Sequence, residues 1–222
     1  VAKTQRRAAK TAPKPMISPL LVGIVVGIAI LVVGGLIVLG NLGTQATAAI
    51  DLSQFPSAGN SKASVTIVEY SDYNCGHCRN FNIDTFPRLK ADYIDTGKVK
   101  YVVHTFNLWP ETAIATEAAL CAGDQGKFFE YKHALYEKQG QLAFAPSPLT
   151  DLAASLGLNR DTFAQCLSNG AHRVEVENAR VAAANQGINS TPTFFINNQR
   201  VDGNQPYEVF KQIIDQELAK AQ

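Results

Sequence analysis

The chain has 222 residues, 46% of them hydrophobic, with a net charge of +1, enough for one ordinary domain with accessories and a real core. Residues 1–15 hold Lys3, Arg6, Arg7, Lys10 and Lys14 and no acid, so the rest carries 15 basic against 19 acidic residues. That balance argues against a nucleic-acid binder, which needs a basic patch on its folded part.

Leu20 to Gly40 reads LLVGIVVGIAILVVGGLIVLG, 21 residues without a polar side chain. In a helix they cover roughly 30 Å, the thickness of a hydrocarbon layer, and a buried soluble helix would still need a polar face. The segment reads as a single transmembrane anchor at 17–40, with the basic tail 1–16 on the cytoplasmic side and everything after it outside. Ala46-Thr47-Ala48 has the small-x-small look of a signal-peptidase site, but the apolar run exceeds that of a cleaved signal. An uncleaved anchor is expected. Residues 41–62, small and polar with Pro56 and Gly59, read as a tether.

Order is expected from 63 onward. Val65 to Tyr70 is β-rich and reads as a strand. A helix follows from Gly76, with Phe81, Ile83, Phe86 and Leu89 on one side and a bend at Pro87. Lys98 to Phe106 reads as a second strand. Helical segments are expected near 111–124, 127–139, 148–156, 160–168 and 171–186, punctuated by glycine and proline. Thr193–Ile196 and Arg200–Val201, separated by Asn197-Asn198, read as a hairpin. A last helix has Pro206 in its first turn and Tyr207, Phe210, Ile213, Ile214 and Leu218 inward. The order is that of an α/β layer structure with a helical insertion at about 108–186.

Cys75-Gly76-His77-Cys78 lies where the strand gives way to the helix. Such a pair is a structural staple, half of a metal site, or a carrier of electrons. A staple closing so small a loop constrains the unfolded chain little. Zinc wants four ligands, usually as two close pairs, and Cys121 and Cys166 supply no second C-x-x-C. A helix starting at Gly76 points unpaired N–H groups and the positive end of its dipole at Cys75, which lowers a thiol pKa. His77 adds partial positive charge and a donor. Cys75 is then the attacking thiol, expected to meet solvent, and Cys78 the resolving one, inside the protein. Neither a metal nor an organic cofactor is needed, because the pair itself carries two electrons.

With Ser190-Thr191-Pro192-Thr193 standing before the hairpin and a helical block between it and the cysteine pair, residues from about Ser64 onward resemble the DsbA-like branch of the thioredoxin superfamily. The resemblance implies a thioredoxin-like fold with a helical insertion, preceded here by a single transmembrane helix. It implies that Thr191 and a cis Pro192 face the cysteine pair and receive substrate. Glu69, six residues before Cys75, falls where relatives keep a buried acid; if buried, it should have a raised pKa suited to moving a proton for Cys78, and an exposed strand-end glutamate is the alternative. Cys121 and Cys166 lie in apolar helical contexts, where free buried cysteines are common core residues; a leftover pair outside the cytoplasm usually bonds, as it does in some DsbA-like relatives, and a structural disulfide is expected. His104, His133 and His172 read as surface or core residues, and Trp109-Pro110 as the start of the helical block.

The activity so implied is thiol–disulfide exchange on exported proteins, in the oxidase direction. Alternatives are an envelope reductase, an isomerase, or a redox-inactive tethered chaperone or binding module. A membrane oxidase of the DsbB or vitamin K epoxide reductase type is the implied recycling partner.

Overall fold

The computed structural model describes residues 51–221. The basic tail, the apolar span at 17–40 and the first part of the tether lie outside the described residues; among those described, no helix is long and apolar enough to cross a membrane.

Five strands form one sheet in the order β1-β3-β2-β4-β5. β2 (Val65–Tyr70) and β3 (Val99–His104) run parallel at its centre, while β1 (Ser57–Gly59), β4 (Thr193–Ile196) and β5 (Gln199–Asp202) pair antiparallel. A parallel pair needs a long crossover, and residues 76–94 supply it. Both faces of β2 are covered, which explains why Val65, Ile67, Val68, Glu69 and Tyr70 are all buried. One face carries Val65, Ile67, Tyr101 and Val103 into the main core with Phe81, Phe194 and Phe210. The other carries Val68, Tyr70 and Val102 into a smaller core with Phe55, Phe106, Ala179 and Ala183.

The tether expected at 41–62 ends earlier than its composition suggested. Leu52–Gln54 form a 3-10 turn capped by Asp51, Phe55 is buried, and β1 pairs with β3. Gly59 permits this close approach: its φ is +85°, and a Cβ there would stand 2.2 Å from the Val99 carbonyl oxygen. A three-residue edge strand without alternation leaves no periodicity to detect.

The crossover is a helix of uneven pitch. α1 (Gly76–Asn80) and α2 (Phe86–Leu89) alternate with wide turns at Phe81–Thr85 and Lys90–Ile94. Pro87 has no N–H to donate, so the expected bend takes the form of π turns, in which the Phe86 N–H reaches Phe81 O.

The insertion comprises a 3-10 turn at Pro110–Thr112, then α3 (Ala113–Gly123), α4 (Phe128–Glu137), α5 (Pro146–Ser155), α6 (Arg160–Ser168) and α7 (Arg173–Asn185). α3 is buried from Ala115 to Ala122, as a helix rich in alanine and lacking a polar stripe must be. In the hairpin Asn197 takes φ +50° and accepts the Thr66 N–H on its side chain at 2.9 Å. α8 (Tyr207–Lys220) starts after Pro206 and buries Tyr207, Phe210 and Ile214, with Ile213 and Leu218 packed partly against the core.

Candidate active site

Cys75 is the N-cap of α1, with extended backbone, and its sulfur accepts the Cys78 N–H at 3.4 Å. The strand-to-helix corner is held by Asp72, whose carbonyl accepts the Cys75 N–H at 3.1 Å. Thr191-Pro192 is a cis peptide, and the Cys75 thiol donates to the Thr191 carbonyl at 3.3 Å. The two cysteines are present as thiols. Their exposures differ: Cys75 keeps 8% of its surface and Cys78 none. The expectation that Cys75 faces solvent is therefore met only at its edge, with the Thr191 carbonyl 3.3 Å from the sulfur. Asn74, Gly76 and His77 around it are exposed.

The two sulfurs differ as acids. Cys75 is pulled down to about 5, first by the Cys78 thiol donating to it. Burial opposes that shift, and Thr191 with the backbone N–H groups of Cys78 and His77 supports it. The Thr191 hydroxyl is buried without a partner, free to donate once the thiolate forms. His77 thus contributes through its backbone; its ring projects from the exposed helix start. Burial pushes the Cys78 thiol up, and the neighbouring Cys75 charge adds to it.

Glu69 is fully buried on β2. The sequence reading considered burial alone; the structure adds an ammonium, Lys132 Nζ, 2.8 Å from Glu69 Oε2, with the lysine side chain 1% exposed. The Tyr101 hydroxyl donates to the same oxygen at 2.6 Å. Burial pushes the Tyr101 phenol far up, helped by charge on Glu69 and on Cys78, so this ring lies within electrostatic reach of both. Lys132 left a trace in the sequence: it stands on the stripe Phe128, Tyr131, Leu135 of α4, where a lysine is out of place unless paired.

Asp72 and Gln139 left none. Asp72, fully buried, accepts from the N–H groups of Asn74 and Leu108 at 2.8 and 2.7 Å and from the Thr112 hydroxyl at 2.6 Å. Gln139 donates to the carbonyls of Tyr73 and Cys75 at 2.8 and 3.1 Å. Both tie the helical insertion to the cysteine corner.

Away from this site, Cys121 on α3 and Cys166 on α6 are joined in a disulfide. With His172 they are the cluster of potential metal ligands among the described residues. Bonded sulfurs offer no thiolates, and His172 is engaged by Asp124 at 2.9 Å and Glu175 at 3.0 Å. His104 is buried between Phe55 and Tyr70 with ring centroids at 4.2 and 4.5 Å, and burial pulls it down to about 4. His133 pairs with Glu137 on the surface of α4.

Comparison with known proteins agrees with this arrangement. The family model described as Thioredoxin matches residues 53–216. Disulfide bond formation protein D of Bacillus subtilis is 30% identical over 170 residues, covering 73% of this chain and 77% of that protein. A Rickettsia typhi protein named as a protein-disulfide oxidoreductase is 32% identical over 143 residues, which cover 63% of this chain and 53% of the Rickettsia protein. The chain thus spans about half the length of that relative. The crystal structure of Wolbachia pipientis alpha-DsbA1 superposes with a TM-score of 0.71 at 28% identity, covering 78% of this chain and 95% of that one. With this sheet order, this helical insertion and this cysteine corner, the chain belongs to the thioredoxin superfamily, among the DsbA-like thiol–disulfide oxidoreductases.

Proposed function

We propose that the chain forms disulfides in exported proteins, with Cys75 as the sulfur that joins the substrate in a mixed disulfide and Cys78 as the buried partner that leaves. The observation that carries this reading is the asymmetry of the pair: one sulfur is held near pH 5 by converging donors, and the other is buried and protonated at neutral pH. In the oxidised protein, a substrate thiolate attacks Cys75, the sulfur whose thiolate is stabilised and reached from the surface. Cys78 leaves and takes a proton. The second substrate thiol then attacks the mixed disulfide, and Cys75 departs as thiolate. Two electrons pass from substrate to protein; of the two substrate protons, one ends on Cys78 and the other goes to solvent. Glu69, Lys132 and Tyr101, the last within electrostatic reach of Cys78, form the buried polar group that would supply and accept that proton.

The oxidase direction follows from the same donors. Each stabilises the reduced thiolate and not the disulfide, which raises the reduction potential. Thr191 and Pro192 receive the substrate backbone: proline carries no N–H, and the Thr191 carbonyl lies beside the reacting sulfur. The apolar span at 17–40 would hold the domain at the outer face of the cell membrane, beside a quinone-coupled oxidase of the DsbB or vitamin K epoxide reductase type that regenerates the disulfide.

The test is the potential of the Cys75–Cys78 couple. A value nearer about −120 mV than about −270 mV is expected of an oxidase. A value at or below the latter assigns the chain to reduction instead.

A further inference from the structure

A second cluster of ligand-type side chains gathers where three helices of the insertion meet. Cys121 comes from α3 and Cys166 from α6, Asp124 stands at the C-terminal end of α3, and His172 precedes the first turn of α7. The two sulfurs and a ring nitrogen of His172 all lie within 4.8 Å of one another. Asp124 Oδ2 stands 3.6 Å from Cys166 Sγ and 2.9 Å from His172 Nε2. Across the ring, Nδ1 meets Glu175 Oε2 at 3.0 Å. Cys121 is buried at 1% and Cys166 is partly exposed. A groove of about 410 Å³, with Asp124, His172 and Glu175 in its lining, opens beside them to solvent.

Two sulfurs, an imidazole nitrogen and a carboxylate oxygen make a zinc donor set. Around a tetrahedral zinc with Zn–S of about 2.3 Å and Zn–N of about 2.0 Å, donor atoms stand roughly 3–4 Å apart, the range of the Asp124 distances here. A histidine that binds a metal through one nitrogen usually donates its other N–H to a carboxylate. Glu175 is that carboxylate, and it leaves Nε2 as the ligand. What the disulfide withholds is thiolate charge. We propose that Cys121, Asp124, Cys166 and His172 bind zinc once the Cys121–Cys166 disulfide is reduced, so that bond and metal are alternative clamps on α3, α6 and α7. The reductant is a dithiol. It attacks Cys166, the more exposed sulfur; Cys121 leaves and takes a proton. The second thiol of the reductant then closes its own disulfide and releases Cys166. Two electrons and two protons pass from the reductant to the chain. Zinc replaces both thiol protons, which go to solvent. Thiolates forming beside Asp124 need a cation, and the neighbouring Arg173 is turned to Glu117, at 3.6 Å.

The experiment uses the full chain carrying Cys75→Ser and Cys78→Ser, which leaves Cys121 and Cys166 as its cysteines, and zinc or cobalt(II) as the probe. The disulfide form is compared with the form reduced by dithiothreitol, the reductant being removed without air. The reduced form is expected to bind one zinc ion at least about a hundredfold more tightly, since thiolates are the ligands gained. Cobalt(II) should then show a thiolate charge-transfer band and the strong visible absorption of a four-coordinate site. Glu175→Gln should weaken zinc binding about tenfold, and His172→Ala, which removes a ligand, more than that. A merely structural His172 would lower the melting temperature of the oxidised chain and leave the zinc affinity of the reduced one unchanged, which overturns its place in the site. The whole proposal is overturned if reduction does not raise zinc affinity, or if bound cobalt lacks the thiolate band. Should the reduced, metal-free chain lose its near-ultraviolet circular dichroism, return of the signal on adding zinc supports the site, and failure to return overturns it.

Discussion

Cys75 and Cys78 stand one helical turn apart at the corner between β2 and α1, as thiols, with donors aimed at one sulfur and none of the surface left to the other. Cys121 and Cys166 stand 45 residues apart on two helices of the insertion, bonded, with Cys121 almost wholly buried in the core. The residue type is the same in both. What differs is the electrostatic setting: a capped helix start and the Thr191 loop stabilise a negative sulfur, whereas helix packing around Cys121 offers no comparable donors. The first pair is built to open and close, and the second to hold α3 against α6.

Substitution should separate the two most sharply in catalysis. Cys75→Ser is expected to lower exchange rates by roughly three orders of magnitude or more, read in insulin reduction and in refolding of reduced ribonuclease. Replacing both Cys121 and Cys166 by alanine should leave those rates within a few-fold. Equal losses in both variants would erase the distinction.

Stability responds in the opposite sense, first at the buried charges. Lys132→Met strands the Glu69 carboxylate without its partner and should cost about 3–5 kcal/mol in denaturant unfolding. Adding Glu69→Gln should recover most of it. A neutral effect of Lys132→Met would show that the pair is not charged. Glu69→Gln alone should slow formation of the mixed disulfide at neutral pH, since it removes a member of the buried group proposed to deliver the proton to the departing Cys78. Loss of the Cys121–Cys166 bond, which closes a 45-residue loop, should cost no more than about 4 kcal/mol.

The smallest effect is a shift of a titration curve. Cys75 lies at about 5 in the reduced fold against an ordinary 9.0. A depressed folded-state pKa stabilises the reduced form fully above pH 9; the gain shrinks as pH falls and is gone below about 5. Alkylation of Cys75 should therefore reach half its maximal rate near pH 5, and the melting temperature of the reduced protein should fall on acidification through that window. Cys78→Ala, which removes the largest cause, should move the midpoint up more than Thr191→Val does. A midpoint that stays above 8 would return Cys75 to an ordinary thiol.

Local patterns carried much of this arrangement. The strand at Val65–Tyr70, the hairpin at Asn197-Asn198 and the five insertion helices followed from periodicity and punctuation, with boundaries displaced by a few residues. The cysteine corner followed from one motif at a strand–helix junction. Lys132 was visible only as an anomaly on an apolar stripe. The roles of Asp72 and Gln139 could not be read at all, because the Asp72 carboxylate accepts from Leu108, 36 residues away, and Gln139 donates to the Cys75 carbonyl, 64 residues away, and no local propensity reports so distant a contact. Trp109 read as the start of the helical block, and it stands at the N-cap of the 3-10 turn that opens the insertion.

The order of residues alone determined that two thiols share one helical turn at a helix start, that a helical block intervenes, and that a Thr-Pro step precedes the final hairpin. Backbone geometry and hydrophobic periodicity act over a few residues, so these features are local. Tertiary structure decided which sulfur is reachable, which carboxylate finds an ammonium, and how the insertion grips the reacting corner. Burial and electrostatic pairing depend on which distant side chains meet, and the chain chooses those meetings only when it folds.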